Sequence, residues 1–277
     1  MPRILITGCG HMGSLHLEML QARGLAPFIC DKNEVTKSGV CVSGDLCSFL
    51  DEVYDLAIIA SPTSTHLEVF SELAPFAKRV LIEKPLASNL KECKEIEKIS
   101  AKTGCEVFLG FCERFNPVVL KLRELLKEEK VIWARFLRSG PNPVRVQDVG
   151  VMHDLCIHDL DLIGFVFNDY LKEHSCFSQG LNVVGDEALI AGSGDALYSI
   201  QASWNDKNKK RQIEVFCKDA SFFVDLLQGQ IYKDKELIFA QSGSNALRLM
   251  HEELLGEIKY CALLEDGIRA NAYLEEK

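Results

Sequence analysis

Asp154 and His158 stand four residues apart in the stretch DLCIHDLD, 154 to 161. On a helix that spacing puts both on one face, with Asp161, three residues past His158, beside them. A carboxylate next to an imidazole orients the ring and raises its pKa, which suits a base that takes an alcohol proton as hydride leaves. Two other readings use the same residues. One is an acid-rich first helical turn in which His158 is an ordinary polar contact; the other is a metal site built from His153, Asp154, His158 and Asp161. Against the metal, His153 points about 100° around a helix from Asp154, and no stretch elsewhere has zinc-type ligand spacing.

A second chemical cluster lies at the start of the chain. In GCGHMG, Gly8 permits a tight turn, Gly10 leaves room for a phosphate to approach the backbone, and Gly13 lets a helix lie close on a strand. The free N–H groups and dipole of that helix would then face an anion, with His11 and Met12 of the turn on the cofactor side. Asp31 closes the next apolar run, PFICD, and its carboxylate is placed to accept from both ribose hydroxyls of a dinucleotide. The same charge repels a 2′-phosphate, so NAD is expected, while neighbouring Lys32 leaves NADP open. The structural alternative is a glycine-rich turn with Asp31 as a cap.

The elements that must carry these residues follow from hydrophobic pattern. Over the first hundred residues, short β-rich runs (RILITG, PFICD, GVCVSG, DLAIIA, RVLIE, EVFLGF) alternate with helical patterns near 13 to 23, 65 to 77 and 88 to 102. Apolar strands joined by helices imply a parallel sheet of βαβ units. Ser88 and Asn89 supply a helix start signal. Beyond residue 116 a helix near 117 to 128 leads to the strand VIWARFLRSG, then a helix near 150 to 167. Strand-like runs from 171 to 240 follow without intervening helices, and a helical stretch near 245 to 275 ends the chain. The expected fold is therefore α/β: an N-terminal Rossmann domain, residues 1–116, then an α+β domain, residues 117–277, with a largely antiparallel open sheet.

Composition narrows the function. The chain has 277 residues, 47% of them hydrophobic, and a formal net charge of −9. That charge disfavours nucleic acid and anionic membranes, whose binding is driven by excess Lys and Arg. KNKKR, 207 to 211, reads as a solvated hairpin loop between LYSIQASW and RQIEVFC. No run has the length and apolarity of a membrane span, no charged leader precedes the first strand, and the eleven cysteines are scattered without a CxxC pair. A cytoplasmic protein with reduced thiols is expected.

Three further stretches, IIASPTSTHLEVF (58 to 70), LIEKPLA (81 to 87) and DLCIHDLD, together with the glycine fingerprint, resemble the Gfo/Idh/MocA family of NAD(P)-dependent sugar and polyol dehydrogenases. The resemblance covers nearly the whole chain. It implies that Lys84 is the catalytic lysine of EKP, bonding the substrate oxygen, that His158 is the general base, and that Asp154 is its partner. It places Ser61, Pro62, Thr63, His66 and Glu83 on the cofactor side, gives Pro85 a turn-fixing role, and assigns oligomerisation, as a homodimer or homotetramer, to the open sheet. Without the motif, a lysine after a strand would read as solvated. GFCERFNP, 110 to 117, joins the domains. From residue type alone, Arg114 and Asn116 are either substrate contacts or an interdomain salt bridge and a cap before Pro117. ERFNP with RSGPNPVRVQDVGVMHDLCIHDLDLI further resembles the branch that oxidises nucleotide-linked N-acetylhexosamines. That resemblance implies oxidation of a secondary hydroxyl, C3 of UDP-N-acetylglucosamine, and makes Arg138, Arg145 and Asp148 substrate-loop residues. A free sugar or polyol substrate and a non-catalytic NAD-binding sensor are the alternatives; the joint presence of Lys84, Asp154 and His158 argues against the sensor.

Overall fold

The computed structural model describes residues 1–32, 42–143, 150–181, 183, 185–241 and 245–275. The chain forms two compact units: Met1–Cys112 with Leu247–Ala272, and Glu113–Ala246 with Tyr273–Lys277.

The first unit is built on strands β1 (Ile4–Thr7), β2 (Phe28–Cys30), β3 (Val42–Ser43), β4 (Leu56–Ile59), β5 (Arg79–Ile82) and β6 (Glu106–Leu109). They are parallel in the order β6-β5-β4-β1-β2-β3. Every residue of β1 and β4 is buried, as expected of central strands covered on both faces. Helices α1 (His11–Gln21), α2 (His66–Leu73) and α3 (Leu90–Thr103) make the crossovers. The start signal read from Ser88 and Asn89 is a capping box: Asn89 Oδ1 accepts from the Glu92 N–H at 2.9 Å and Glu92 Oε2 accepts from the Ser88 N–H at 3.1 Å. Gly104, at φ +75°, closes the same helix.

The second unit contains α4 (Pro117–Leu125), the long strand β7 (Val131–Pro141), α5 (Ile157–Phe167), and strands β8 (Glu173–Gln179), β9 (Glu187–Ser193), β10 (Leu197–Ser203), β11 (Asn205–Cys217), β12 (Ser221–Asp225), β13 (Gln230–Lys233) and β14 (Glu236–Ala240). Their order is β14-β13-β12-β11-β7-β10-β9-β8, antiparallel except for the β7–β10 pair. Along β10 the buried residues are Tyr198, Ile200 and Ala202, the two-residue period of a half-covered strand. Phe167 of α5 meets Phe136 and Tyr198 edge-on at ring separations of 6.1 and 5.5 Å, which seats that helix on the sheet's inner face.

Two expectations are corrected here. KNKKR is not a hairpin loop: it lies within β11, and β10 and β11, separated only by Trp204, flank β7 instead of pairing with each other. A register shift between Asn205 and Lys210 absorbs the polar run. The C-terminal stretch does not stay with the second domain. Its strand, β15 (Ala262–Leu263), pairs antiparallel with β6, and its helices α6 (Ala246–Leu254) and α7 (Leu264–Leu274) flank that strand, so Leu247–Ala272 completes the first unit. An expected boundary at 116/117 lies close to the observed one at Cys112/Glu113, but a single cut misses this return.

Candidate active site

In the first unit the glycine turn has the shape its sequence requires. Gly8 has φ +82°, and a Cβ there would lie 2.5 Å from the Ser61 nitrogen. Gly13 is held so near the turn that a Cβ would lie 1.9 Å from the Gly8 carbonyl oxygen. Gly10, by contrast, has open space where a Cβ would stand, and as the N-cap of α1 it supplies no side-chain bond to the helix. The helix start therefore has no side-chain cap among the described residues and has open space at the Gly10 Cβ position, which fits a dinucleotide phosphate. Asp31 follows β2 directly, and one carboxylate oxygen accepts from the Cys9 N–H at 2.5 Å, which sets the acid beside the turn. Ser61, Pro62 and Thr63 follow β4 on the same C-terminal edge of the sheet, where open α/β sheets bind ligands.

Lys84 follows β5 on that edge and is half-buried, with a cis peptide bond to Pro85. The neighbouring backbone is held by side chains. His66 Nδ1 lies 3.1 Å from the Pro85 carbonyl oxygen and 3.2 Å from that of Leu86, and its Nε2 lies 3.0 Å from that of Ser61. Burial draws the His66 pKa down, while those carbonyls push it back up. Glu83 is buried with its carboxylate against Gly110, where a Cβ would stand 2.6 Å from Oε1.

In the second unit, Asp154 lies at the approach to α5 and His158 in its first turn, not on one regular helix. Met152–Cys156 form a π turn that carries Asp154, and α5 begins only at Ile157. The expected unbroken helix near 150 to 167 is corrected: a π turn, a feature frequent at functional sites, precedes α5. Asp154 is buried and His158 half-buried. The other two acids of the stretch are anchors. Arg114 Nε donates to both Asp161 oxygens at 3.1 and 2.9 Å and its Nη2 closes the fork, with the guanidinium 5.0 Å from the Phe165 ring centre. Arg138 Nε donates to Asp159 Oδ1 at 2.7 Å and its Nη1 donates to Glu113 Oε1 at 3.1 Å. Burial pushes the Asp159 carboxyl up to about 6 against the pull of Arg138, whose own pKa is raised by the Asp159 and Glu113 charges. Among the described residues there is no group of three or more His, Cys, Asp or Glu placed to hold a metal ion.

Residues 2–111 match the family described as GFO_IDH_MocA, oxidoreductase family, NAD-binding Rossmann fold. This part of the chain is similar to the NAD-binding Rossmann domain that the family model describes. The chain is 29% identical over 211 residues to a myo-inositol 2-dehydrogenase of Thermotoga maritima, covering 70% of this chain and 62% of that one. The chain thus spans about three fifths of that relative's length. It is 24% identical over 238 residues to the UDP-N-acetylglucosamine 3-dehydrogenase of Acidithiobacillus ferrooxidans, covering 82% of this chain and 75% of the other. The solved structure of the Acidithiobacillus enzyme superposes with a TM-score of 0.87 at 22% identity, over 98% of this chain and 94% of that one. A dehydrogenase from Bordetella pertussis, solved with NADH and UDP-GlcNAcA, superposes with a TM-score of 0.84 at 18% identity, over 99% and 93% of the two chains. The two superpositions establish a shared fold.

The structure reassigns several residues. Arg114 and Arg138, expected to contact substrate, are buried and committed to Asp161, Asp159 and Glu113. Asn116 caps α4 through the Val118 N–H at 3.2 Å and donates to Glu113. Both belong to the structural alternative, within the second unit and not across domains. Arg145 and Asp148 lie outside the described residues. His66 and Glu83, expected on the cofactor side, spend polar atoms inside the first unit, on backbone carbonyls and on His16 respectively. Sequence reading passed over His16, His251 and Asn271, all buried. A histidine at 16 on the apolar face of α1, beside Leu17 and Leu20, was the one local sign that a buried partner was needed.

Proposed function

We propose that the chain is an NAD-dependent dehydrogenase that oxidises a secondary hydroxyl of a nucleotide-linked sugar, C3 of UDP-N-acetylglucosamine, to a 3-keto sugar. The observation that carries the reading is Lys84: a half-buried lysine at the C-terminal end of a parallel strand, in the same unit as a glycine-rich helix start without a side-chain cap and an acid closing β2. The substrate is supported by the UDP-N-acetylglucosamine 3-dehydrogenase relative, whose alignment covers 82% of this chain against 70% for the inositol enzyme.

In this reading Gly8, Gly10, His11, Met12 and Gly13 hold the pyrophosphate through backbone N–H groups, and Asp31 accepts from the ribose. Ser61, Pro62 and Thr63 line the same strand edge. NAD, when bound, supplies the acceptor for the carbinol hydride. His158 takes the hydroxyl proton, Asp154 orients its ring, and the Lys84 ammonium donates to the substrate oxygen as negative charge develops there. Lys84→Ala and His158→Ala should each lower turnover by about 10² to 10⁴ with NAD affinity retained.

A free cyclic polyol is the second reading. It is favoured by the Thermotoga relative's name and by the ion pairs that occupy Arg114 and Arg138, which are then not available to a diphosphate. Absorbance at the reduced-nicotinamide band with NAD or NADP, over a panel of UDP-sugars and polyols, separates the two. Turnover of inositol that UDP does not inhibit would replace the nucleotide sugar and keep the dehydrogenase.

We also infer a homodimer or homotetramer in the cytoplasm. The outer face of the eight-stranded sheet exposes Phe177, Leu189, Leu197 and Phe216, an apolar patch of the kind that marks protein interfaces. The ten described cysteines are all free thiols, in keeping with a reducing compartment.

A further inference from the structure

The Glu83–Ala87 segment is gripped by buried polar side chains from the far end of the chain. Asn271, on α7, accepts from the Leu86 N–H through Oδ1 at 3.2 Å and donates from Nδ2 to the Ala87 carbonyl at 2.8 Å. Glu83 Oε1 lies 2.9 Å from His16 Nε2, and His16 Nδ1 lies 2.7 Å from Nε2 of His251, on α6. Asn271 is 4% exposed, Glu83 5%, and both histidines are fully buried. Each such group is costly to desolvate unless bonded, and an apolar side chain at 251 or 271 would fill the space without that cost. The polar atoms contribute direction.

The bond order along the relay can be deduced. His251 Nδ1 is buried and has no hydrogen-bond partner among the described residues. A proton there would be an orphaned buried donor, whereas a lone pair there is far less costly. His251 therefore carries its proton on Nε2 and donates to His16 Nδ1, which leaves His16 to donate from Nε2 to the Glu83 carboxylate. Burial, with His16 and Arg23 nearby, holds the His251 pKa down at about 3, in agreement with a neutral ring.

We propose that His251 and Asn271 are positioning residues for Lys84: the returning C-terminal segment fixes the backbone on both sides of the lysine, through the His251–His16–Glu83 relay before it and the Asn271 clamp after it. This rests on Lys84 being the catalytic lysine, and the readouts below separate the two ideas. The geometry predicts that loosening either clamp misplaces the ammonium without emptying the cofactor site.

In the intact protein, labelled with ¹⁵N-histidine, long-range imidazole spectra should show His16 and His251 both as Nε2–H tautomers. A proton on Nδ1 of His251 would overturn the relay, and this measurement needs no variant to fold. In His251→Leu and Asn271→Ala, the rate at which trinitrobenzenesulfonate labels Lys84, followed by peptide mass spectrometry, should change several-fold while other lysines keep their rates. Turnover of UDP-N-acetylglucosamine should fall about 10- to 100-fold in kcat with NAD affinity unchanged, since a misplacement of about 1 Å is enough for such a loss. His251→Gln, whose amide N–H can replace Nε2–H, should recover most of it. Parental Lys84 labelling in both folded variants would overturn the proposal. Turnover retained in Lys84→Ala would instead overturn the catalytic reading, with the labelling rates still deciding the positioning.

Discussion

Gly10 and Gly13 stand three residues apart in the same turn, and the structure gives them opposite sensitivities to a single added methyl group. At Gly13 a Cβ would stand 1.9 Å from the Gly8 oxygen and 2.9 Å from its carbon. Restoring an ordinary contact of 3.4 Å requires α1 and the turn to separate by about 1.5 Å, which their packing resists, and overpacking of this kind costs about 1 to 3 kcal/mol. Gly13→Ala should thus lower the stability of the apo protein and, by displacing the first helical N–H groups, its NAD affinity. At Gly10 nothing lies within 4 Å of the new Cβ, and φ is −65°, so alanine is tolerated by the fold. The methyl group would occupy the space assigned to the phosphate. Gly10→Ala should leave the urea midpoint unchanged or slightly higher, while an overpacking cost of about 1 to 3 kcal/mol on the complex raises the NAD Kd about 5- to 150-fold. Urea unfolding of the apo proteins and calorimetric titration with NAD supply the two axes. Unchanged NAD affinity in Gly10→Ala would refute the placement of the pyrophosphate at this turn.

Replacing Asp31 with Ser should improve the use of NADP relative to NAD, because a carboxylate beside the ribose repels the 2′-phosphate; an unchanged cofactor ratio would remove Asp31 from that role. Arg114→Ala should destabilise the protein by about 3 to 5 kcal/mol, since it removes the guanidinium that neutralises the buried Asp161 carboxylate, and the paired change Arg114→Leu with Asp161→Leu should recover much of the loss in a denaturant titration. Asp206 accepts from Lys210, the Asn208 N–H and Ser139, and these bonds, the lysine's first, draw its carboxyl from 3.8 down to about 2. A depressed folded pKa stabilises above 3.8 and loses that contribution as pH falls toward 2; Asp206→Asn should flatten the stability profile across that window, lowering stability at neutral pH and leaving the acid end of the window nearly unaffected.

The first unit was largely legible because its signals are local. A glycine turn between an apolar run and a helix, an acid closing the next strand, and Asn89 before a periodic stretch each act within a few residues. The second unit was legible as sheet but not as topology. A polar run such as KNKKR reads as a loop, yet a strand with a register shift can carry it. The π turn at Met152–Cys156 has no periodic signature, so Asp154 and His158 were read on an unbroken helix. Arg114 and Arg138 show how residue type misleads, since a guanidinium suits a buried carboxylate as well as a phosphate, and only burial separates the cases. The partners of the Lys84 turn were beyond reach for another reason: the His16–His251 and Leu86–Asn271 bonds span 235 and 185 residues, and no short-range pattern encodes them.

The return of Leu247–Ala272 to the first unit bears on the order in which the protein can be completed during synthesis. Translation delivers Met1–Cys112 first, then the whole of Glu113–Ala246, and only afterwards the segment that supplies β15, His251 and Asn271. Until those residues emerge, β6 is a bare sheet edge, the kind of surface that recruits other chains, and His16 and Leu86 lack their bonding partners. A nascent first unit is therefore an incomplete sheet waiting on a segment translated after the whole of Glu113–Ala246. Slow elongation through the second unit prolongs that interval, and it is there that a chaperone which shields strand edges has the most to protect.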